Sequence, residues 1–123
     1  MIRKKLVIII FFAFNLLFVR NLGAIDWATR TIDSYGDVGK HTSLALDKDG
    51  WPHISYLDAT HTALKYAYKD ASGWHITTAV SSGRNDYYTS IALDNVGYPH
   101  IIHGDSYYWR LKYTYQDASG WHT

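Results

Sequence analysis

The chain contains no cysteine and no glutamate, and only two prolines. Without cysteine there is neither a disulfide framework nor a site for a lipid-modified N-terminal Cys, so stability rests on a packed core. All eleven acidic residues are Asp. Asp favours turns and caps whereas Glu favours helices, so the choice leans toward turn-rich β-structure. Past residue 24 no stretch has helical period. Long apolar runs are also scarce. The single one, Leu6 to Val19, is broken by Asn15 and falls short of the roughly 20 residues that span a bilayer.

That run belongs to a leader. Arg3, Lys4 and Lys5 precede it, and Arg20, Asn21 and the small-residue end Leu22-Gly23-Ala24 follow. This is the layout of a secretory signal peptide over residues 1–24, cut after Ala24. An uncleaved anchor is the alternative, given Leu22 three places before the cut and Arg20 nearby. Four basic residues leave with the leader. Residues 25–123 keep eight Lys and Arg against eleven Asp, a net charge of about −3. Such a chain is a poor nucleic-acid binder, because phosphate binding needs a basic stripe. The expected location is secreted or at the cell surface, with no membrane association after cleavage.

What fills the remainder is a repeat. Trp27, Trp74 and Trp121 stand 47 residues apart, and laying 27–73 over 74–120 without a gap matches 22 of 47 positions. Pro52 and Pro99, His53 and His100, and Gly50 and Gly97 coincide. Periods of about 20–50 residues mark solenoids, propellers and arrays.

Within a unit, apolar residues alternate with period two. The pattern predicts strands over 42–47, 52–58, 64–69 and 74–80. Turns fall at Lys48-Asp49-Gly50 and at Asp70 to Gly73, with a loop at 59–63. Pro52 opens the second strand, where a missing N–H is tolerated. Four short antiparallel strands per repeat make a β-propeller blade. A β-solenoid needs a shorter repeat, and a sandwich needs no fixed period. The fold class is therefore all-β, with about two blades of an incomplete propeller.

The wording Ser43-Leu-Ala-Leu-Asp47, Gly50, Pro52-His-Ile-Ser-Tyr56, then Leu64-Lys-Tyr-Ala-Tyr68 and Asp70-Ala-Ser-Gly-Trp-His75 resembles the repeats of secreted prokaryotic β-propellers in the broad sialidase-like group. The resemblance covers residues 27–123. The turn at Asp70 resembles the Asp-box hairpin of sialidases, but departs from its glycine and aromatic spacing.

Propellers close with four to eight blades. Here residues 27–33 read as a fourth strand, 42–80 as a whole blade and 89–117 as three strands of another. Trp121 opens a third unit that runs three residues. Two arrangements follow: a segment of a longer propeller, which the stop inside a strand favours, or two-blade chains assembling head to tail. The expected partners are further blades in cis or identical chains in trans, besides any glycan ligand.

Loops after the first and third strands share one rim, and both units repeat the same turns there. Loops after the second and fourth strands share the other rim, and these vary. Repeat-to-repeat change often marks a binding face. The candidate ligand-binding residues are Arg84, Asn85, Asp86, Tyr87 and Tyr88 with Tyr107, Tyr108, Trp109 and Arg110. Aromatic faces beside polar groups suit sugars, whose apolar ring faces stack while hydroxyls take hydrogen bonds. The competing reading is packing between blades.

Other constellations are weaker. His53 and His100 recur, as do His75 and His122, which points to a role in the blade. His103 replaces Tyr56 and lies three residues from His100, on the opposite strand face, which argues against a shared metal site. Asp47-Lys-Asp-Gly50 looks like a calcium loop, but Asp94-Asn-Val-Gly97 lacks the second carboxylate, so a turn is expected. No metal or cofactor is expected. A sialidase-like reaction would want an arginine cluster, an activated Tyr and an Asp acid. Arg30, Arg84 and Arg110 are present, but two blades cannot enclose a central site, and Gly-x-Ser-x-Gly and His-Glu-x-x-His are absent. The sequence therefore reads as a secreted binding or scaffold module for extracellular carbohydrate. A piece of a sialidase-like glycosidase, or a structural repeat of a cell-surface protein, are the alternatives.

Overall fold

A computed structural model describes residues 27–81, 88–105 and 107–123. The leader and Arg84 to Tyr87 lie outside the described residues. The chain divides into two units, residues 1–30 and 31–123. In the first, the described residues 27–30 are irregular and exposed.

The second unit is all-β among the described residues. It holds β1 (Val38–Leu46), β2 (Pro52–Asp58), β3 (Ala63–Asp70), β4 (Gly73–Val80), β5 (Thr89–Leu93), β6 (Pro99–Asp105), β7 (Arg110–Asp117) and β8 (Gly120–His122). These form two four-stranded antiparallel sheets, ordered β1-β2-β3-β4 and β5-β6-β7-β8. The three later strands of the first sheet fall within a residue of the pattern. β1 starts four residues early, at Val38, through register shifts between Val38 and Ser43.

One expected strand is absent. Residues 27–34 form no strand, although 27–33 align with β4. A strand forms by pairing with an edge, and β4 has β3 for this, whereas no described strand pairs with 27–33. Asp33 is instead held by its side chain. Its Oδ2 accepts hydrogen bonds from the Tyr56 hydroxyl and the Lys65 ammonium, both at 2.7 Å.

The turns explain why Asp is the acid used. Asp47 Oδ1 accepts the backbone N–H groups of Asp49 and Trp51, and Asp94 Oδ1 accepts those of Val96 and Tyr98. Asp70 Oδ1 accepts the N–H of Ser72 and Gly73 and the Ser72 hydroxyl. Asp117 receives the Ser119 N–H and hydroxyl in the same way. Reaching its own backbone two residues on requires the short Asp side chain.

The sheets pack face to face through one cluster. Leu64 and Tyr66 of the first sheet meet Ile91 and Ile101 of the second, with Ala45, Val80, Leu93 and Trp121 around them. Trp121 stands edge-on to Tyr66 at 5.4 Å between centroids. Hydroxyls join the sheets beside this core. Ser55 Oγ lies 2.7 Å from Thr89 Oγ1, and Ser43 Oγ accepts the Ile91 N–H. The sequence pattern put Leu44 and Leu46 opposite the small Ser43 and Ala45. The small side chains face the neighbouring sheet, and both leucines are exposed.

Candidate functional site

The meander order places the β2–β3 loop, the end of β4 and the start of β5 on one rim. In the second repeat the β2–β3 equivalent is the loop from Asp105 to Arg110, after β6. Asp105 Oδ1 accepts the N–H groups of Tyr107 and Tyr108 at 3.0 and 3.2 Å. Its Oδ2 pairs with Lys112 Nζ at 2.9 Å. The Lys112 hydrogen bond, which outweighs the opposing burial, holds the Asp105 carboxyl below the usual carboxylate range.

On this base stand the aromatics. The Tyr107 and Tyr108 rings meet edge to face at 4.6 Å. The Arg110 guanidinium lies 4.7 Å from the Tyr108 centroid, within cation–π range. Trp109 has φ +54°, in the left-handed region, and is 82% exposed. Tyr107, Tyr108 and Arg110 thus form one cluster, with Trp109 on the same loop. Tyr88 keeps other company, edge-on to His41 at 4.5 Å. Four of the nine candidate residues, Arg84 to Tyr87, lie outside the described residues.

The first repeat builds the same loop with other chemistry. Asp58 caps it by accepting the His61 N–H, and Thr62 has φ +51° at the position of Trp109. His61 Nδ1 lies 2.8 Å from Asp58 Oδ2, and the His61 ring lies parallel to Tyr35 with centroids 6.0 Å apart. Asp37 N–H donates to Thr60 Oγ1, fixing the preceding segment to this loop. Gly36 is needed here, because its φ is +93° and a Cβ would come within 2.7 Å of Thr60 Oγ1.

Beneath the second loop lies His103, 1% exposed. Its Nε2 lies 2.9 Å from Thr114 Oγ1, and its Nδ1 has no hydrogen-bond partner among the described residues. Burial and the nearby Lys112 push the imidazole below its ordinary value, which favours the neutral ring. In the first repeat the corresponding place belongs to Tyr56 with Asp33 and Lys65. Burial opposes ionisation of Asp33, but Lys65 and Tyr56 outweigh it and lower its carboxyl to about 2. Sequence reasoning missed this triad. A signal was present, since Tyr56 changes to His103 in the same step that Asp33 changes to Val80.

The repetitive rim carries a cleft of about 280 Å³ between the turns at 47–49 and 94–97. Of its acids, Asp47 and Asp94 are committed to the turns. Burial opposes their ionisation, but the N–H groups of Trp51 and Asp49 for Asp47, and of Tyr98 and Val96 for Asp94, keep both carboxyls low. No group of three or more His, Cys, Asp or Glu able to hold a metal occurs among the described residues. His100 stacks on Tyr113 and Tyr115, on the face opposite His103, as alternation along the strand requires.

Comparison with protein-family models, curated proteins and solved structures finds no match. The class that the fold defines is thus an all-β repeat protein of two four-stranded antiparallel sheets.

Proposed function

We propose that the chain is a secreted β-propeller segment that binds extracellular carbohydrate through the 107–110 loop. The observation that carries this reading is the pair of equivalent loops. The first closes with Ala59, Thr60, His61 and Thr62, under the same Asp cap and with the same left-handed residue. The architecture therefore does not need Tyr107, Tyr108 and Trp109. Three exposed aromatics added where the fold is satisfied without them are surface provided for a ligand. Stacking of Trp109 and Tyr108 on the apolar face of a pyranose, with Arg110 on its hydroxyls, is the interaction such a surface supports.

The test is binding of the chain to a glycan array, followed by titration of the best ligand. Trp109→Ala is expected to weaken binding at least tenfold, while Thr62→Ala in the first repeat leaves it unchanged. An array without any ligand, or equal affinities for the two variants, would remove the proposal.

A further inference from the structure

The two sheets meet through unlike faces. The first contributes the face of Ser55 and Tyr66, and the second that of Thr89, Ile91, Ile101 and Trp121. Because the second repeat is the first shifted by 47 residues, each sheet also carries, on its outer side, the face that the other uses inside.

On the outer side of the second sheet stand His100, Tyr113, Tyr115 and His122, the counterparts of His53, Tyr66, Tyr68 and His75. The copy extends to geometry. His53 lies 5.8 Å from both Tyr66 and Tyr68, and His100 lies 5.9 Å from both Tyr113 and Tyr115. His53 Nδ1 bonds the Tyr66 hydroxyl, and His100 Nδ1 bonds that of Tyr113. The first column is covered by the second sheet, whereas Ile102, Leu111 and Tyr113 around the second column are exposed. On the outer side of the first sheet, Leu44, Leu46 and Trp74 are the counterparts of Ile91, Leu93 and Trp121, and both leucines are exposed. Asp33, beside Tyr56 on this side, is the counterpart of Val80, which packs at the edge of the inter-sheet cluster.

We infer that a second copy of this chain docks its Leu44 and Leu46 face onto the His100 and Tyr113 face, repeating the inter-sheet contact from chain to chain. The occupant is argued from continuity with the contact already formed inside the chain. Both halves of that contact stand on the outer sides of the two sheets, without a partner sheet among the described residues. The contact is heterologous, so it propagates into a ring or a filament rather than stopping at a dimer. In it, Trp74 of one copy stands edge-on to Tyr113 of the next, as Trp121 does to Tyr66. The inference does not rest on carbohydrate binding.

Cysteine pairs test it cleanly, because the chain has no cysteine of its own. Ser55 and Thr89 approach across the sheets within a chain, and their counterparts across chains are Ile102 and Thr42. Under mild oxidation the full chain carrying Ser55→Cys and Thr89→Cys is expected to close an internal disulfide. Thr42→Cys with Ile102→Cys is expected to give a reducible ladder of dimers and larger species on electrophoresis. Mixing the two single variants should yield dimers only, with neither single variant dimerising alone. Thr42→Cys with Ser119→Cys, whose second site is a turn outside the contact, should give none. Failure of the internal pair would overturn the premise. An internal pair that closes beside a Thr42/Ile102 variant that stays monomeric would overturn the inference, as would dimers of either single variant.

Discussion

Leu64 and Leu111 occupy the same place in successive repeats, yet Leu64 is 1% exposed and Leu111 is 78% exposed. Both precede the same Lys-Tyr pair, and each is the second residue of the third strand of its sheet, after Ala63 or Arg110. The difference arises because, among the described residues, one sheet has a neighbour on that side and the other does not.

The pair separates packing from pattern. Leu64→Ala is expected to destabilise the fold by about 2–5 kcal/mol, the range for deleting a buried leucine. Leu111→Ala in dilute solution should stay within about 0.5 kcal/mol. Urea unfolding followed by Trp fluorescence measures both, and equal costs would contradict the asymmetry.

Removing the charge of Asp33 tests the triad with Tyr56 and Lys65. Asp33→Asn leaves a nearly buried Lys65 ammonium without its carboxylate and is expected to cost about 1–3 kcal/mol. The folded carboxyl, at about 2, lies below its unfolded value of 3.8. Its contribution is therefore complete above about pH 4 and is lost as pH falls toward 2. The stability difference between the Asn variant and the native chain should shrink over that interval, as read from urea midpoints at successive pH values.

His103 acts at milder acidity. Its folded value lies below the ordinary 6.5, so the unfolded chain takes up a proton first as pH drops. Stability associated with the neutral ring is present above pH 6.5 and declines below it. His103→Gln should flatten the pH dependence of the melting temperature between pH 6.5 and 5. An unchanged slope would show that the imidazole is not the group responsible.

Trp109 sets binding against stability. A left-handed conformation costs a residue with a Cβ about 1–2 kcal/mol, a cost that glycine avoids. Trp109→Gly is expected to raise the melting temperature or leave it unchanged while abolishing glycan binding. Thr62→Gly should share the stabilisation and retain binding. Calorimetry and the array assay together distinguish the two.

Much of this was legible in the sequence, because the repeat supplies its own internal comparison. The shared Asp, Gly and Pro positions locate the turns that follow the first and third strands of each sheet, and alternation supplies β2, β3 and β4 almost to the residue. The error at 27–33 has a physical cause: Trp27 and Thr31 copy β4, but Arg30 and Asp33 replace Thr77 and Val80, and no described edge takes the segment in. The candidate site was legible as an aromatic loop. The left-handed backbone at Trp109 was not, since neither repeat places glycine there to announce it. Nor was the contact of Tyr88 with His41, which depends on where β1 puts His41.

Each sheet draws its backbone ladder entirely from consecutive strands, β1 to β4 and then β5 to β8. Every such pairing is a hairpin between chain neighbours, so loop closure is short and inexpensive in entropy. Ancestry and synthesis follow from the same property. A 47-residue stretch could be duplicated in the gene without severing a single ladder, and during translation the first sheet has all its backbone partners before the second has been made.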